Sequence, residues 1–292
     1  MRRFLIRFAY IGSRFCGLQR QPNSTANNYP SVQGILENAV RRLYPKNDAV
    51  ITTSSRTDKG VHALMNTSHV DLEHPKEGHE YDSEWIKEQL NRSLRNSGHD
   101  MIVTDVFHVN SEFHCRFSAV SRSYVYRIAL TDSTDDVNHT RIPIAELDRC
   151  YFIRPPLCEA SLHEAAHLLS GLRDFKCFTS KSNDENQTKD TLRIVEVRVC
   201  SSSGFMSAVD QSYEGISFYD LHFKSRGFLY NQVRRMTSVM LATAQGRSSL
   251  ADIYYLFDCA SENNWPSHLT MVPAHGLYLR QIEYKESDLL PP

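Results

Sequence analysis

Two short stretches of this sequence carry reactive side chains close together. The first is Ser54-Ser55-Arg56-Thr57-Asp58-Lys59-Gly60-Val61-His62-Ala63, between an apolar strand start at Ala49-Val50-Ile51 and a strand expected at 69–72. Thr-Asp-Lys-Gly by itself makes a good turn, with Asp bonding nearby backbone and Gly supplying positive φ. A turn alone does not call for an Arg two residues before the Asp, on a loop that strands would hold rigid. The second stretch is His163-Glu164-Ala165-Ala166-His167, a pattern that in zinc proteases sets two imidazoles one helical turn apart on a metal. Ser161 and Glu164 read as a capping box, so the carboxylate is already used, and both histidines fall in the first turns of a short helix. A metal also needs a third ligand; Glu185 has a tolerable spacing but sits in the polar run Ser-Asn-Asp-Glu-Asn-Gln. The motif is therefore read as accidental, and no metal is expected.

The chain has 292 residues, 33 Lys+Arg against 34 Asp+Glu, and 41% apolar residues. This composition excludes disorder and collagen-like repeats, and the length gives about two folded units at ~150 residues each. With a net charge of −1, binding to nucleic acid or membrane must come from local patches. Seven scattered cysteines without a CxxC pair suit a reducing compartment. No apolar run reaches membrane-spanning length, so an intracellular, soluble protein is expected. Arg2, Arg3, Arg7, Arg14 and Arg20, with no acid in the first 36 residues, would also suit a mitochondrial presequence. The alternation of Phe4, Ile6 and Phe8 with Arg3 and Arg7 favours instead a half-buried strand from residue 3.

The elements that must position the first stretch follow from periodicity. Residues 22–30 are polar turn formers. After Ser31, a good N-cap, Val32, Ile35, Leu36, Ala39, Val40 and Leu43 keep helical spacing. Val70 and Leu72 mark a strand, Trp85 to Leu94 a helix, and Val103 to Val109 another strand. Beyond the polar stretch 131–141, a helix is expected near 161–170, strands at 192–200 and 216–224, a helix at about 229–245 capped by Gly246, and a strand at 277–284. Val233, Met236, Met240, Leu241 and Ala244 form the apolar stripe of the fourth helix. The two halves use similar elements, so the expected class is α+β with two related sheets.

At Ser54–Ala63 the chain resembles the TruA family of tRNA pseudouridine synthases, whose hallmark loop reads (G/A/S)-R-T-D-(A/K)-G-V-H-A. Further matches follow in family order: Tyr10-x-Gly12-x-x-Phe15-x-Gly17-x-Gln19-x-Gln21, Ser31-Val32-Gln33, Phe113 to Ala119 with Arg122-x-Tyr124-x-Tyr126, Asp174-Phe175-x-x-Phe178, Phe228 to Met236, and Pro273 to Leu277. The resemblance covers roughly residues 3–284. The Asp loop with Leu64 and the Phe-Leu-Tyr-x-Gln-Val-Arg-Arg-Met-Thr helix are most similar to the animal pseudouridine synthase-like branch. Leu18, where bacterial members usually carry Trp, and the longer loop at 22–30 depart from the pattern and bear on RNA contacts.

The resemblance implies two ferredoxin-like halves, assigned to residues 1–135 and 136–292, whose antiparallel sheets join across a central RNA-binding cleft. It implies isomerisation of uridine to pseudouridine in tRNA without metal or cofactor. Asp58 is then the catalytic carboxylate, either as nucleophile on the ribose or as base for a glycal intermediate. Arg234 takes the place of the arginine that pairs with it, Tyr124 of the tyrosine that packs on the base, and Arg56 of the residue that enters the RNA stack in place of the flipped nucleotide. Tyr126 is read as core. Arg14, Arg20, Arg116, Arg122, Arg127, Lys224, Arg226, Arg234 and Arg235, interleaved with Phe15, Phe117, Tyr124, Phe228 and Tyr230, are candidates for phosphate and base contacts. Two other classes stand beside this one: a non-catalytic RNA clamp on the same fold, and a zinc hydrolase built on His163 and His167. Cytosol, nucleus and mitochondrion remain open, with the basic start and the branch favouring mitochondria, and so does the oligomeric state.

Overall fold

The computed structural model describes residues 1–20, 29–131, 142–180, 190–258, 261 and 265–291. Gln21, nearly all of the 22–30 loop, the polar stretch after residue 131, and Glu185 lie outside them. In chain order the strands and helices are β1 (Arg2–Tyr10), α1 (Val32–Arg41), β2 (Thr52–Thr53), β3 (His62–Leu72), α2 (Ser83–Ser97), β4 (Met101–Val109), β5 (Ser121–Thr131), β6 (Tyr151–Ile153), α3 (Glu159–Leu169), β7 (Gly171–Asp174), β8 (Leu192–Ser202), β9 (Ile216–Ser225), α4 (Gln232–Ala244), α5 (Leu250–Asp258), β10 (Leu277–Glu283) and α6 (Glu286–Leu289). The class is α+β with mostly antiparallel strands. The chain divides into one unit of Met1–Arg122 with Tyr278–Pro292 and a second of Ser123–Leu277.

In the first unit β1 lies between β3 and β4, antiparallel to both, and β10 runs parallel to β3 through Tyr278↔His62 and Leu279↔Ala63. Phe4, Leu5, Ile6 and Phe8 are all buried, so β1 is a central strand covered on both faces, more enclosed than the half-buried alternation suggested. Its Arg3 stands opposite Asp71 and binds it with two 2.8 Å hydrogen bonds, a fork that fixes the register as well as the charge. Ser31 caps α1 by accepting the Gly34 N–H at 3.1 Å, as its residue type predicts. Asp82 caps α2 in the same way, and Gly98 ends it in the left-handed region. Ile86, Leu90 and Leu94 are the buried stripe of α2, each contributing about 1.5–3 kcal/mol. The expected strand at Ala49–Ile51 is corrected: pairing is confined to Thr52–Thr53, and Val50 is exposed.

In the second unit β8 pairs antiparallel with β7 and β9, and β6 runs parallel to β5. Helix α3 begins at Glu159 with Cys158 as N-cap and no side-chain capping bond, so the expected Ser161–Glu164 capping box does not form. Both residues sit inside the helix. Leu162, Ala165, Ala166 and Leu169 face the core, while His163, Glu164 and His167 are exposed on the opposite side. Helix α4 differs from a one-striped helix: every residue from Met236 to Ala244 is buried. Its polar positions are accommodated internally, with Thr237 Oγ1 donating to Val233 O and Ser238 Oγ to Arg234 O, both at 2.9 Å. Gly246 follows the helix at φ 71.

Candidate active site

The Asp58 loop is fastened through Ser54, Ser55 and Thr57 on one side and through a turn at Val61 on the other. Thr57 is buried; its hydroxyl lies 2.7 Å from the Tyr10 hydroxyl, and its carbonyl accepts the Leu18 N–H at 3.0 Å. Ser55 O accepts from Asn66 Nδ2 at 3.1 Å, and the Ser54 N–H donates to Thr67 O at 3.0 Å. Arg122 donates to Ser55 Oγ at 2.9 Å and Ser54 Oγ at 3.3 Å, and reaches Arg116 O at 2.9 Å. On the far side, the Val61 N–H closes a turn onto Asp58 O at 3.2 Å, with Gly60 at φ 81, the conformation that favours glycine there. Arg56 is exposed and Asp58 half-buried, flanking the anchored Thr57. A carboxylate carried on such a loop loses little conformational entropy when it engages a ligand.

The supports explain residues whose purpose is invisible in the sequence. A Cβ on Gly12 would stand 2.0 Å from Val61 O, and one on Gly17 3.3 Å from Thr57 O, so the chain after β1 touches the loop backbone only as glycine. His62 is fully buried, accepts the Gly12 N–H on Nδ1 at 2.9 Å, and stacks on Tyr278 at 4.5 Å. Burial pushes the Tyr10 hydroxyl up to about 12, so it remains a neutral partner for Thr57. Asn66 is also fully buried and makes three hydrogen bonds at once: Nδ2 donates to Ser55 O and to the Tyr10 hydroxyl at 3.4 Å, and Oδ1 accepts the Thr67 N–H at 2.8 Å. Asn66→Ala should therefore cost about 2 kcal/mol from orphaned buried groups and lower turnover by roughly 10²-fold through loop misplacement. Thermal unfolding and single-turnover kinetics check both; unchanged turnover in a folded variant would remove Asn66 from the positioning role.

The second unit carries the other residues singled out. Tyr124 is buried on β5 and meets Phe228 edge-on at 5.2 Å and 88°. Arg234 lies in the first turn of α4, where Nε donates to Val272 O at 3.0 Å and Nη1 to Asn231 Oδ1 at 3.4 Å. Asn231 reaches a φ of 60, which Asn tolerates better than most residues. The buried Gln232 caps the turn by accepting the Leu229 N–H at 2.8 Å. Tyr126 is core, as expected: it is fully buried, donates to Pro273 O at 2.8 Å, and a Cβ on Gly276 would come within 2.7 Å of its ring.

Three of the arginines considered for phosphate contact have internal duties instead. Arg127 is buried, pairs with Glu146 at 2.8 Å and Asp220 at 3.6 Å, and lies 3.9 Å over Phe205. Arg235 donates to Cys177 O and Thr179 O and stacks 4.6 Å over Trp265. Arg122 clamps the Asp58 loop. Arg116, Lys224 and Arg226 are exposed.

Among the described residues one group of three metal-ligating side chains converges: His69, His114 and Cys115, with ligand atoms within 4.8 Å of one another. Its lone pairs are already used. His69 Nδ1 accepts the Cys115 N–H at 3.3 Å and His114 Nδ1 the Arg116 N–H at 3.2 Å, which leaves the ring proton of each neutral imidazole on Nε2. Burial pushes the Cys115 thiol up to about 12, and it donates to Thr52 O at 3.2 Å. The group is a staple between loop 111–118 and the base of the Asp58 loop.

Burial, aided by the Arg3 charge, pulls His69 down to about 4 from 6.5. The unfolded chain then binds a proton that the folded one does not, so stability present above pH 6.5 falls by up to about 1.4 kcal/mol per pH unit between 6.5 and 4. His69→Asn, which keeps an acceptor for the Cys115 N–H, should flatten that acid slope in denaturant titrations. An unchanged slope would place the acid sensitivity elsewhere.

Sequence comparison identifies the family. A profile of the tRNA pseudouridine synthase family matches residues 6–118 and 165–285, a span that contains the whole Asp58 loop with its Tyr10, Gly12, Gly17 and Asn66 supports, and Arg234. The chain belongs to the TruA family of tRNA pseudouridine synthases, which are isomerases. It is 32% identical over 288 residues to "tRNA pseudouridine synthase-like 1" of Xenopus laevis, covering 98% of this chain and 93% of the relative. Its identity to the Homo sapiens protein of the same name is 34% over 284 residues, covering 97% and 90%. "tRNA pseudouridine synthase A" of Afipia carboxidovorans is 32% identical over 284 residues, covering 97% and 100%.

Proposed function

We propose that this chain converts uridine to pseudouridine in tRNA, with Asp58 as the catalytic carboxylate. The observation that carries the reading is the fastening of the Asp58 loop, where Ser54, Ser55 and Thr57 are held by Tyr10, Leu18, Asn66 and Arg122. The reaction breaks the N1–C1′ bond, turns the uracil within a closed pocket, forms C5–C1′, and moves a proton from C5 to solvent while N1 gains one. It is redox-neutral and needs one carboxylate at the ribose, a surface that retains the free base, and a group that assists loss of the C5 proton. In this reading Asp58 acts on the ribose, as nucleophile at C1′ or as base at C2′. Tyr124 packs on the base, Arg234 offsets the carboxylate charge, and Arg56 fills the space that the flipped nucleotide leaves. The finer architecture proposed with it is two ferredoxin-like halves, residues 1–135 with the Asp loop and Tyr124 and residues 136–292 with the Arg234 helix, joined across an RNA-binding cleft.

Metal and cofactor have no step in this chemistry. An intracellular, reducing setting, with the mitochondrion favoured, suits Cys16, Cys115, Cys150, Cys158 and Cys200, which stand as free thiols. No helix among the described residues is long and apolar enough to cross a membrane. The test is tritium release from tRNA labelled at uridine C5, comparing total with mitochondrial tRNA, with and without EDTA. Release that survives chelation supports the reading; salt-sensitive RNA binding without release would make the protein a clamp.

A further inference from the structure

Loop 111–118 has an interior and an exterior of opposite character. Inside, Phe113 and Cys115 are buried, and the Tyr284 hydroxyl donates to Cys115 O at 2.7 Å. The backbone is satisfied: the His114 N–H donates to Ser118 Oγ at 3.1 Å, and the Arg116 and Phe117 N–H groups point at His114 Nδ1 at 3.2 and 3.4 Å. Outside, Phe117 is 73% exposed, the most exposed phenylalanine among the described residues. Its ring lies 4.4 Å from the His114 ring at 34°, and the exposed Arg116 guanidinium sits 5.8 Å from its centroid. Arg122 joins Arg116 O to Ser54 and Ser55, so this aromatic tip and the Asp58 loop share one rigid mount.

An apolar ring held in water by a fully bonded loop contributes nothing to the core and loses little entropy on covering. We infer that Phe117 is a stacking platform for an unpaired base of the RNA substrate, with Arg116 on the adjoining phosphate. This rests on the reading of the chain as an RNA-modifying enzyme. The chemistry fits RNA: unpaired bases offer a π-face to an aromatic ring whatever their identity, and a neighbouring guanidinium takes the backbone. Unlike the charged groups considered for catalysis, Phe117 has no part in bond making; its effect is on where the RNA lies relative to the Asp58 loop.

The experiment measures binding of a fluorescein-labelled tRNA transcript by anisotropy, alongside tritium release by the same proteins. Phe117→Ala is expected to weaken binding about tenfold and to raise KM by more than it lowers kcat, with Phe117→Trp restoring most of the affinity. Arg116→Ala should reduce the slope of log affinity against log salt by about one. Because the ring is exposed, thermal unfolding of Phe117→Ala should match wild type, which separates lost stacking from a damaged loop. Wild-type affinity in Phe117→Ala, or equal weakness in Phe117→Trp, overturns the platform. If the wild type releases no tritium, the isomerase reading fails while the binding comparison still decides this one.

Discussion

Asp58→Asn should lower tritium release by about 10⁴-fold, the scale seen when the carboxylate of a catalytic unit is removed, and leave RNA binding within about twofold. The substitution is isosteric, and Thr57, Ser54 and Ser55 keep their bonds to Tyr10, Leu18, Thr67, Asn66 and Arg122. Loss of activity with unchanged unfolding would therefore report chemistry rather than structure. The amide can neither add to C1′ nor take a proton from C2′, so both versions of the mechanism predict the same loss. Release retained at more than about a tenth of wild type would assign the chemistry to another group.

Glu146→Ala should produce the largest loss of stability, about 3–5 kcal/mol, read as a fall in Tm of roughly 6–15 °C at the size of this chain. Glu146 is fully buried and accepts from Arg127 Nη1 at 2.8 Å, from the Phe205 N–H at 2.6 Å and from the Tyr213 hydroxyl at 3.4 Å. Its removal leaves a buried guanidinium whose remaining carboxylate, Asp220, lies 3.6 Å away, together with two unpaired donors. The double variant Arg127→Met/Glu146→Leu should recover much of the loss, because a buried pair replaced as a whole removes its desolvation cost with its attraction. A fall below about 2 °C in calorimetry would show that water or Asp220 satisfies Arg127 in its place.

Local signals in this sequence were legible where one residue type has one physical use. Ser31 before an apolar stripe capped a helix, and Tyr126 in an apolar β pattern was core. The Asp58 loop stood out because an Arg and an Asp so placed exceed what a turn needs. Ser161 and Glu164 matched a capping box, yet α3 starts at Glu159, because the helix boundary is set by packing of Leu162, Ala165, Ala166 and Leu169 rather than by the strongest local signal. Ala49–Ile51 was apolar enough for a strand but has no partner in the pairing, which begins at Thr52. Arg127 looked like a surface cation since nothing near it in sequence shows that Glu146 and Asp220 converge on it.

The class of protein is legible in the linear order of the motifs, because their residue types and spacing survive without the fold. Which side chains support the Asp58 loop becomes visible only after folding. Tyr10, Asn66 and Arg122 lie up to 68 residues from the loop groups they hold, and Gly12 and Gly17 matter through a backbone approach of a few ångströms. The same holds for the nine basic residues proposed as RNA contacts: a guanidinium becomes a structural tie or a ligand group according to the carboxylates and carbonyls that folding brings within about 3 Å of it, and that proximity is a property of the fold rather than of the chain order.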